Sequence, residues 1–259
     1  MSGKRVLITG MSGLIGGIVR RDLEGEYQLR ALNRGVMPDV ECFRADIADL
    51  NAMQPAFEGV DTVIHLAAAH GYDATWEDIL SFNLIGGYNV YEASRLAGVK
   101  RIIFASTGLV GESGVVVTDH ETGYPYHLLS DGRYDEAPKP WPMVTHETPI
   151  RPLNEYAASK AWGEALGRSY SDRYGISVIC VRIGAVTDED RPKTPRQWPA
   201  WCSHRDLAQI IRKSLEAPES LRYDIFYAVS NNKWGFRDIQ HARDVLGYDP
   251  QDDAGDYRP

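Results

Sequence analysis

The sequence is poor in cysteine, and its three cysteines, Cys42, Cys180 and Cys202, lie far apart. They show neither a Cys-x-x-Cys pair nor the Cys/His spacing of a zinc site, and their positions do not suggest a disulfide framework. We therefore expect no metal site, and we expect a reducing compartment, the cytoplasm, as the location.

Long apolar runs and runs of basic residues are missing as well. No stretch approaches the ~20 apolar residues of a membrane span, and the first residues, MSGKRVLITG, lack the pattern of a secretory leader. The formal net charge is −8, and lysine and arginine form no stripe. These absences argue against a membrane or a nucleic acid as a partner.

What the sequence does contain is an alternation of strand-like and helix-like segments. The chain has 259 residues, 43% of them hydrophobic, which is enough for a sizeable core. Short apolar runs occur at residues 5–8, 29–32, 62–67, 101–106 and 177–183. Helical periodicity occurs between them, at residues 13–24, 75–98 and 154–174. This order predicts an α/β fold with a parallel sheet covered by helices on both faces.

A glycine motif follows the first apolar run, in the stretch VLITGMSGLIGG. Gly10 permits a tight turn, Gly13 lets the backbone approach a phosphate, and Gly16 lets a helix that begins near Leu14 pack close to the strand. The N-terminus of that helix offers unpaired N–H groups and a favourable dipole to an anion. The motif predicts a dinucleotide site, and the alternative is a glycine-rich turn that binds nothing.

A tyrosine and a lysine are spaced four residues apart in NEYAASKAWGE. In a helix, Tyr156 and Lys160 lie on one face about one turn apart. A phenol is a poor base at neutral pH, and a nearby ammonium lowers its pKa by stabilising the phenolate. The pair predicts proton transfer, and the alternative is two surface residues of an amphipathic helix.

Together, the GxxGxxG motif, the YxxxK pair and the later VICVRIG segment resemble the extended short-chain dehydrogenase/reductase family, the relatives of NAD-dependent epimerases and dehydratases. The resemblance implies a Rossmann-type doubly wound sheet and a nicotinamide cofactor. It also implies that Thr107, at the end of the strand RIIFAS, holds the reacting oxygen of the substrate. In that family Tyr156 moves the proton, while Lys160 also contacts the nicotinamide ribose.

The resemblance further implies a set of cofactor contacts at the glycine motif and at the ends of the following strands and helices. These are Gly10, Ser12, Gly13, Leu14, Ile15, Gly16, Asn33, Arg34, Asp46, Ile47, Leu66, Ala67, Ala68 and Asn83, together with Tyr156 and Lys160.

The choice between NAD and NADP stays open. Members that prefer NAD usually end the second strand with an acidic residue, whereas this chain has Asn33 and Arg34. An arginine there can accommodate a 2′-phosphate, which favours NADP. Arg34 can equally be an ordinary solvated charge.

For domain organisation, we expect a Rossmann-type dinucleotide-binding domain at residues 1–187. Within it, residues 111–152 are rich in Gly, Pro, His and Tyr, and we interpret them as an insertion on the substrate side. Residues 188–259 are interpreted as a small, mainly helical lobe that binds substrate and does not fold independently.

In the C-terminal segment WPAWCSHRDLAQ, a Trp, then a Ser and an Asp-Leu precede a predicted helix. This segment is more similar to the uronate dehydrogenase branch of the family than to its nucleotide-sugar epimerases. In that branch the position of Arg196 holds the sugar carboxylate, and the position of His70 contacts the sugar. An arginine fork suits a planar oxyanion, although Arg196 can also be a loop charge. The uronate enzymes follow their catalytic serine with Asn and His, whereas this chain has Gly108 and Leu109 after Thr107.

The resemblance therefore implies oxidation of an aldose at its anomeric carbon to a lactone, with Thr107, Gly108 and Tyr156 also at the substrate. An acidic sugar, either a uronate or a sulfonated hexose, is the expected substrate, and a neutral aldose stays open. The alternatives are a nucleotide-sugar epimerase or reductase and a non-catalytic regulator that senses NADP. A homo-oligomer, dimer or tetramer, is expected from the family.

Overall fold

The computed structural model describes residues 3–70, 74–111 and 123–257. By its internal contacts, the chain forms two compact units. Unit 1 comprises Met1–Ala105, Ser159–Cys180 and Ser214–Asp224. Unit 2 comprises Ser106–Ala158, Val181–Lys213 and Ile225–Pro259. The domain boundary that we place at residue 187 from the sequence stays a prediction.

Seven strands form one sheet in the order β3-β2-β1-β4-β5-β6-β7. They are β1 Arg5–Thr9, β2 Gln28–Asn33, β3 Glu41–Arg44, β4 Thr62–His65, β5 Arg101–Thr107, β6 Ser177–Ile183 and β7 Tyr223–Ala228. β1 pairs in parallel with β2 and β4, and β4 pairs in parallel with β5. The parallel sheet flanked by helices confirms the predicted Rossmann-type α/β fold.

The sequence analysis missed two of these strands. β3 is a short edge strand, ECFR, with no fully buried residue, so it has no apolar run to mark it. β7 lies within residues 188–259, where we expected a mainly helical lobe. That expectation was wrong for Tyr223–Ala228.

The described α-helices are α1 Leu14–Leu23, α2 Leu50–Met53, α3 Trp76–Asp78, α4 Gly86–Leu96, α5 Tyr126–Ser130, α6 Glu155–Tyr174, α7 His204–Glu216 and α8 Gln240–Leu246. A π-helical segment, Ile79–Ile85, joins α3 to α4. The shorter 3-10 segments are Gln54–Phe57, Gly108–Val110, Pro195–Ala200 and Ala254–Tyr257. In the part of the chain that is described, no helix has the length and apolar character needed to cross a membrane.

In unit 1 the sheet core lies in β1 and β4. Val6, Leu7 and Ile8 of β1 and Val63 and Ile64 of β4 are fully buried, as expected for parallel strands covered on both faces. The chain leaves β1 towards β2 on one side, whereas β4 lies on the other side of β1. This change of direction opens a crevice at the carboxyl ends of β1 and β4, which is where open α/β sheets bind ligands.

Unit 2 has an aromatic core of its own. Tyr134 stacks on Trp234 with ring centroids 4.1 Å apart, and Tyr126 packs against Phe236 at 5.0 Å. Val144 donates its N–H to the Phe236 carbonyl at 2.7 Å. The described part of the predicted insertion is therefore packed against the C-terminal residues of the same unit. Residues 112–122 of that insertion lie outside the described residues.

A buried arginine at the start of β5 holds the end of α7 within unit 1. The Arg101 guanidinium donates to the carbonyls of Leu215 at 3.0 Å, Ala217 at 2.6 Å and Pro218 at 2.9 Å. It also donates to Ser177 Oγ at 3.0 Å. Because the last carbonyls of a helix have no partner inside the helix, the bond to Leu215 satisfies a group that burial would otherwise leave unpaired.

We predict that Arg101→Met lowers the free energy of unfolding by about 2–4 kcal/mol, because it leaves the buried Leu215 carbonyl without this donor and removes the bonds to Ser177, Ala217 and Pro218. Urea unfolding measures the change. Arg168→Met is the matched control, because Arg168 is 60% exposed and its contacts with Asp172 and the Tyr223 ring lie at the surface. We expect little or no change in the control. Equal stability of the two variants would contradict the role given to Arg101.

Candidate active site

A cavity of about 660 Å³ lies in unit 1 at the carboxyl ends of β1, β2 and β4. Ten residues predicted as cofactor contacts line it, namely Gly10, Ser12, Gly13, Asn33, Arg34, Asp46, Ile47, Leu66, Ala67 and Ala68. His70, predicted as a substrate contact, lines the same cavity. Sequence reasoning missed Ala69, Asp78 and Phe82, which also line it and belong to no motif.

The glycine loop at this cavity is closely packed, as the motif predicts, and the structure shows which residues each glycine packs against. Gly10 has a φ of +73°, and a Cβ there would lie 2.8 Å from the Ala67 nitrogen. A Cβ on Gly16 would lie 2.5 Å from Cα of Met11. Gly10 therefore lets the loop pass against the chain that follows β4, and Gly16 lets α1 pack onto the loop itself.

The N-terminus of α1 is suited to an anion. Gly13, the residue before the helix, offers no side-chain cap, and the first turn of α1 contains no acidic residue. Gly13 itself donates its N–H to the Gly10 carbonyl at 3.1 Å. The first N–H groups of α1, at Leu14, Ile15 and Gly16, are those that a helix leaves without internal partners. They can hold a phosphate group.

The end of β2 offers a hydrogen-bond donor that lacks a partner. Asn33 Oδ1 accepts from the Ser12 N–H at 3.4 Å, but Asn33 Nδ2 is buried and has no hydrogen-bond partner within the described residues. A buried amide donor of this kind normally has a partner, and a ribose hydroxyl is a suitable one. The Arg34 guanidinium lies 5.0 Å from the Phe82 ring centroid, so a cation and an aromatic face stand together at the cavity. These features fit a dinucleotide.

Asn83 lies in the π-helical segment, and its side chain joins Ala69 to Ser159 by hydrogen bonds. Its Oδ1 accepts from the Ala69 N–H at 2.7 Å, and its Nδ2 donates to the Ala69 carbonyl at 3.0 Å and to Ser159 Oγ at 2.9 Å. The amide is thus used by the protein, and Asn83 is not among the residues that line the cavity. Its predicted cofactor contact stays a prediction, whereas the structure shows a positioning role. π-Helical turns often occur at functional sites.

Lys160 is 4% exposed, and its ammonium lies 5.0 Å from the Phe104 ring centroid. Burial lowers the pKa of Lys160 to about 8. His65, at the end of β4, is also buried, and burial together with the nearby Lys160 lowers the pKa of His65 to about 3. His65 is therefore neutral at neutral pH, so it does not compete with Lys160 as a cation.

A hydroxyl holds the His65 ring in place. Thr9 Oγ1 accepts from the Ala67 N–H at 3.2 Å and forms a hydrogen bond with His65 Nδ1 at 2.8 Å. Sequence reasoning gave His65 no role, although a histidine inside the apolar strand TVIH is a signal that could have been followed.

Tyr156 lies in the first turn of α6, one turn before Lys160, as the spacing predicts. The side chain of Asn154 begins this helix by accepting the Ala157 N–H at 2.9 Å. Burial raises the pKa of Tyr156 to about 12. This differs from the lowering that the Tyr/Lys spacing predicts, because withdrawing the phenol from water penalises its anionic form. To act as a base near neutral pH, Tyr156 needs positive charge beside it.

The remaining predicted substrate residues lie in unit 2. Thr107 is buried at the end of β5 and accepts the Leu109 N–H at 3.4 Å, so its own hydroxyl hydrogen stays able to donate. Gly108 packs against Arg237, because a Cβ at position 108 would lie 2.7 Å from Arg237 Nε. The sequence analysis did not identify Arg237. Arg196 is half-buried in the 3-10 segment Pro195–Ala200.

Comparisons with known proteins agree with this fold. The model of the NAD-dependent epimerase/dehydratase family matches residues 6–204. An NAD-dependent glucose-6-phosphate dehydrogenase of Haloferax volcanii is 34% identical, over 97% of this chain and 95% of that protein. An L-arabinose 1-dehydrogenase (NAD(P)+) of the same organism is 30% identical, over 96% and 97%.

A solved structure is also similar along its length. The uronate dehydrogenase of Agrobacterium tumefaciens is 32% identical, with a TM-score of 0.82, and the match covers 100% of this chain and 88% of that one.

We predict that Gly16→Ala weakens binding of the nicotinamide dinucleotide by about 10- to 100-fold, because the added methyl group displaces the glycine loop at Met11. Fluorescence titration with NADH and NADPH measures the affinity. Gly17→Ala is the matched control on the same helix, since its Cβ would meet only Arg21 Nη1, at 3.5 Å. The control should bind as the wild type does. If Gly16→Ala also binds normally, the loop does not hold the dinucleotide.

Proposed function

This chain belongs to the NAD-dependent epimerase/dehydratase family, and on that premise we propose that it oxidises an aldose at the anomeric carbon. The products are a lactone and the reduced cofactor, NADH or NADPH. The observation that carries the proposal is the pair on α6, a partly buried Tyr156 one helical turn from a buried Lys160. A regulator that only senses the cofactor has no use for this pair.

The relatives support a dehydrogenase over an epimerase. The two Haloferax proteins match over nearly their whole length and are named for the oxidation of a sugar phosphate and of a pentose. The similar solved structure is named for a uronate. Both NAD and NADP stay in the proposal, because the Asn33 amide suits a ribose hydroxyl whereas Arg34 can accept a 2′-phosphate.

The proposed chemistry divides between the cofactor and the protein. When bound, the nicotinamide cofactor supplies the hydride acceptor. Thr107 donates its hydroxyl hydrogen to the anomeric oxygen and orients it. Tyr156 takes the proton of the anomeric hydroxyl as the C–H bond breaks, so that one hydride and one proton leave and a lactone remains. Lys160, as an ammonium, stabilises the Tyr156 phenolate.

We further propose an acidic aldose as the substrate, with Arg196 at its oxyanion. His70 and Gly108 are the other substrate contacts that we propose. A cytoplasmic location is consistent with three cysteines that are all free. A homo-oligomer is proposed from the family alone.

The test is a substrate scan that follows the absorbance of the reduced nicotinamide, with uronates, hexose 6-phosphates, 6-sulfonated hexoses and neutral aldoses, each with NAD and NADP. We expect at least one aldose to be oxidised. Tyr156→Phe should lower kcat by about 10²- to 10⁴-fold and keep cofactor affinity, because only the proton acceptor is lost. Tyr174→Phe, at the exposed end of the same helix, is the control. Turnover of a UDP-sugar without oxidation of any aldose would defeat the proposal.

The pH dependence tests the role of Lys160. Because Tyr156 must lose its proton to act as a base, kcat/KM for oxidation should rise with pH, helped by a Lys160 ammonium that persists up to its pKa of about 8. Removing the ammonium in Lys160→Met raises the pKa of Tyr156, so the rise should move to higher pH. Lys160→Arg, which keeps the charge, should move it less. Profiles of wild type and Lys160→Met that rise at the same pH would contradict this role.

A further inference from the structure

Unit 2 contains a buried arginine that has no carboxylate partner among the described residues, although its guanidinium lies 4.8 Å from the Phe236 ring centroid. Arg237 is 5% exposed, and its Nε and Nη1 atoms are buried with no hydrogen-bond partner within the described residues. Among those residues it also forms no ion pair. A buried guanidinium normally has partners, because withdrawing it from water is costly.

Other buried arginines of this chain show how such partners are usually supplied. Arg30 pairs with Glu41 at 2.8 Å and donates to the Ala56 carbonyl at 2.8 Å. Arg101 donates to carbonyls at the end of α7. Arg237 therefore stands apart, and an unpaired buried donor is a feature that calls for a ligand.

The backbone next to Thr107 makes room for this guanidinium. A Cβ on Gly108 would lie 2.7 Å from Arg237 Nε and 3.4 Å from Arg237 Cζ. Any side chain at position 108 would collide with the arginine. The uronate enzymes have Asn where this chain has Gly108. The glycine at this position therefore lets Arg237 reach the backbone beside Thr107.

The charge of Arg237 is disfavoured as the protein stands. Burial is the main cause that lowers the pKa of Arg237 to about 10; Tyr227 opposes this shift, and the positive charge of Arg196 adds to it. An anion bound beside the Arg237 guanidinium would offset the cost of burying its charge.

We propose that Arg237 binds an oxyanion carried by the aldose, in addition to the contact proposed for Arg196, and that Arg237 selects anionic over neutral sugars. The inference rests on the proposed function, since it deepens the identity of the substrate. In a pyranose, C5 and the anomeric carbon are both bonded to the ring oxygen. An anionic group on C6 therefore lies close to the reacting end of the sugar, as the place of Arg237 beside Thr107 and Gly108 requires.

The shared chemistry is that of a carboxylate, phosphate or sulfonate, each of which accepts paired N–H bonds from an arginine fork. The experiment separates them by comparing glucuronate, glucose 6-phosphate and 6-sulfonated glucose with glucose. For the wild type we expect kcat/KM for one of the anionic sugars to exceed that for glucose by about 100-fold or more, the contribution of two charge-assisted contacts.

Arg237→Met should lower kcat/KM for that anionic sugar by about 10- to 100-fold, mainly through KM. Its kcat/KM for glucose should fall by at least about tenfold less than that for the anionic sugar, because a neutral sugar offers no charge for the arginine to bind. Gly108→Ala, which displaces the guanidinium, should lower the preference in the same way. Arg168→Met, which removes an exposed arginine of unit 1, is the control and should leave both sugars unchanged.

Thermal unfolding separates binding from a structural role. Because Arg237→Met removes an unpaired buried charge, its Tm should equal or exceed that of the wild type. A clearly lower Tm would assign Arg237 a structural role and overturn the inference. So would a wild type that oxidises glucose as well as the anionic sugars, or an Arg237→Met variant that loses both equally. Failure of the wild type to oxidise any aldose would instead defeat the proposed function.

Discussion

The close approach of two backbone segments in unit 1 is the constraint on which its cavity depends. The turn after β1 touches the chain after β4 so tightly that position 10 has no space for a side chain beside Ala67. Thr9 bonds to the Ala67 N–H, and Asn83 holds both the N–H and the carbonyl of Ala69. The strand end that lines the cavity is therefore fixed from two sides, so its backbone is in place before any ligand arrives.

Burial, more than pairing, sets the protonation of the candidate site residues. It lowers the pKa of Lys160 and His65, raises the pKa of Tyr156 and lowers the pKa of Arg237. Each shift disfavours the charged form of its group, so a charge of opposite sign bound beside any one of these groups is strongly felt.

The sequence predicts the fold and the dinucleotide loop because both follow from local patterns. Buried parallel strands appear in the sequence as apolar runs. Gly16 is required by a contact with Met11, five residues earlier, and Gly10 is required by a contact with the chain just after β4. β3 could not be found in this way, because its residues are half-exposed. Arg237 could not be found either, since its meaning depends on Gly108, which lies 129 positions earlier in the numbering. The role of Asn83 likewise depends on Ser159, which no motif links to it.

The bonds of Arg101 have a further consequence for the kinetics of the chain. They join β5 to carbonyls 114 to 117 residues away, in the last turn of α7 and just after it. Contacts across such a separation close a large loop of chain, so we expect them to form after the local helices and strands during folding. Interactions that are absent from the folding transition state mainly slow unfolding. We therefore expect the Arg101 bonds to lengthen the lifetime of the native state more than they speed its formation.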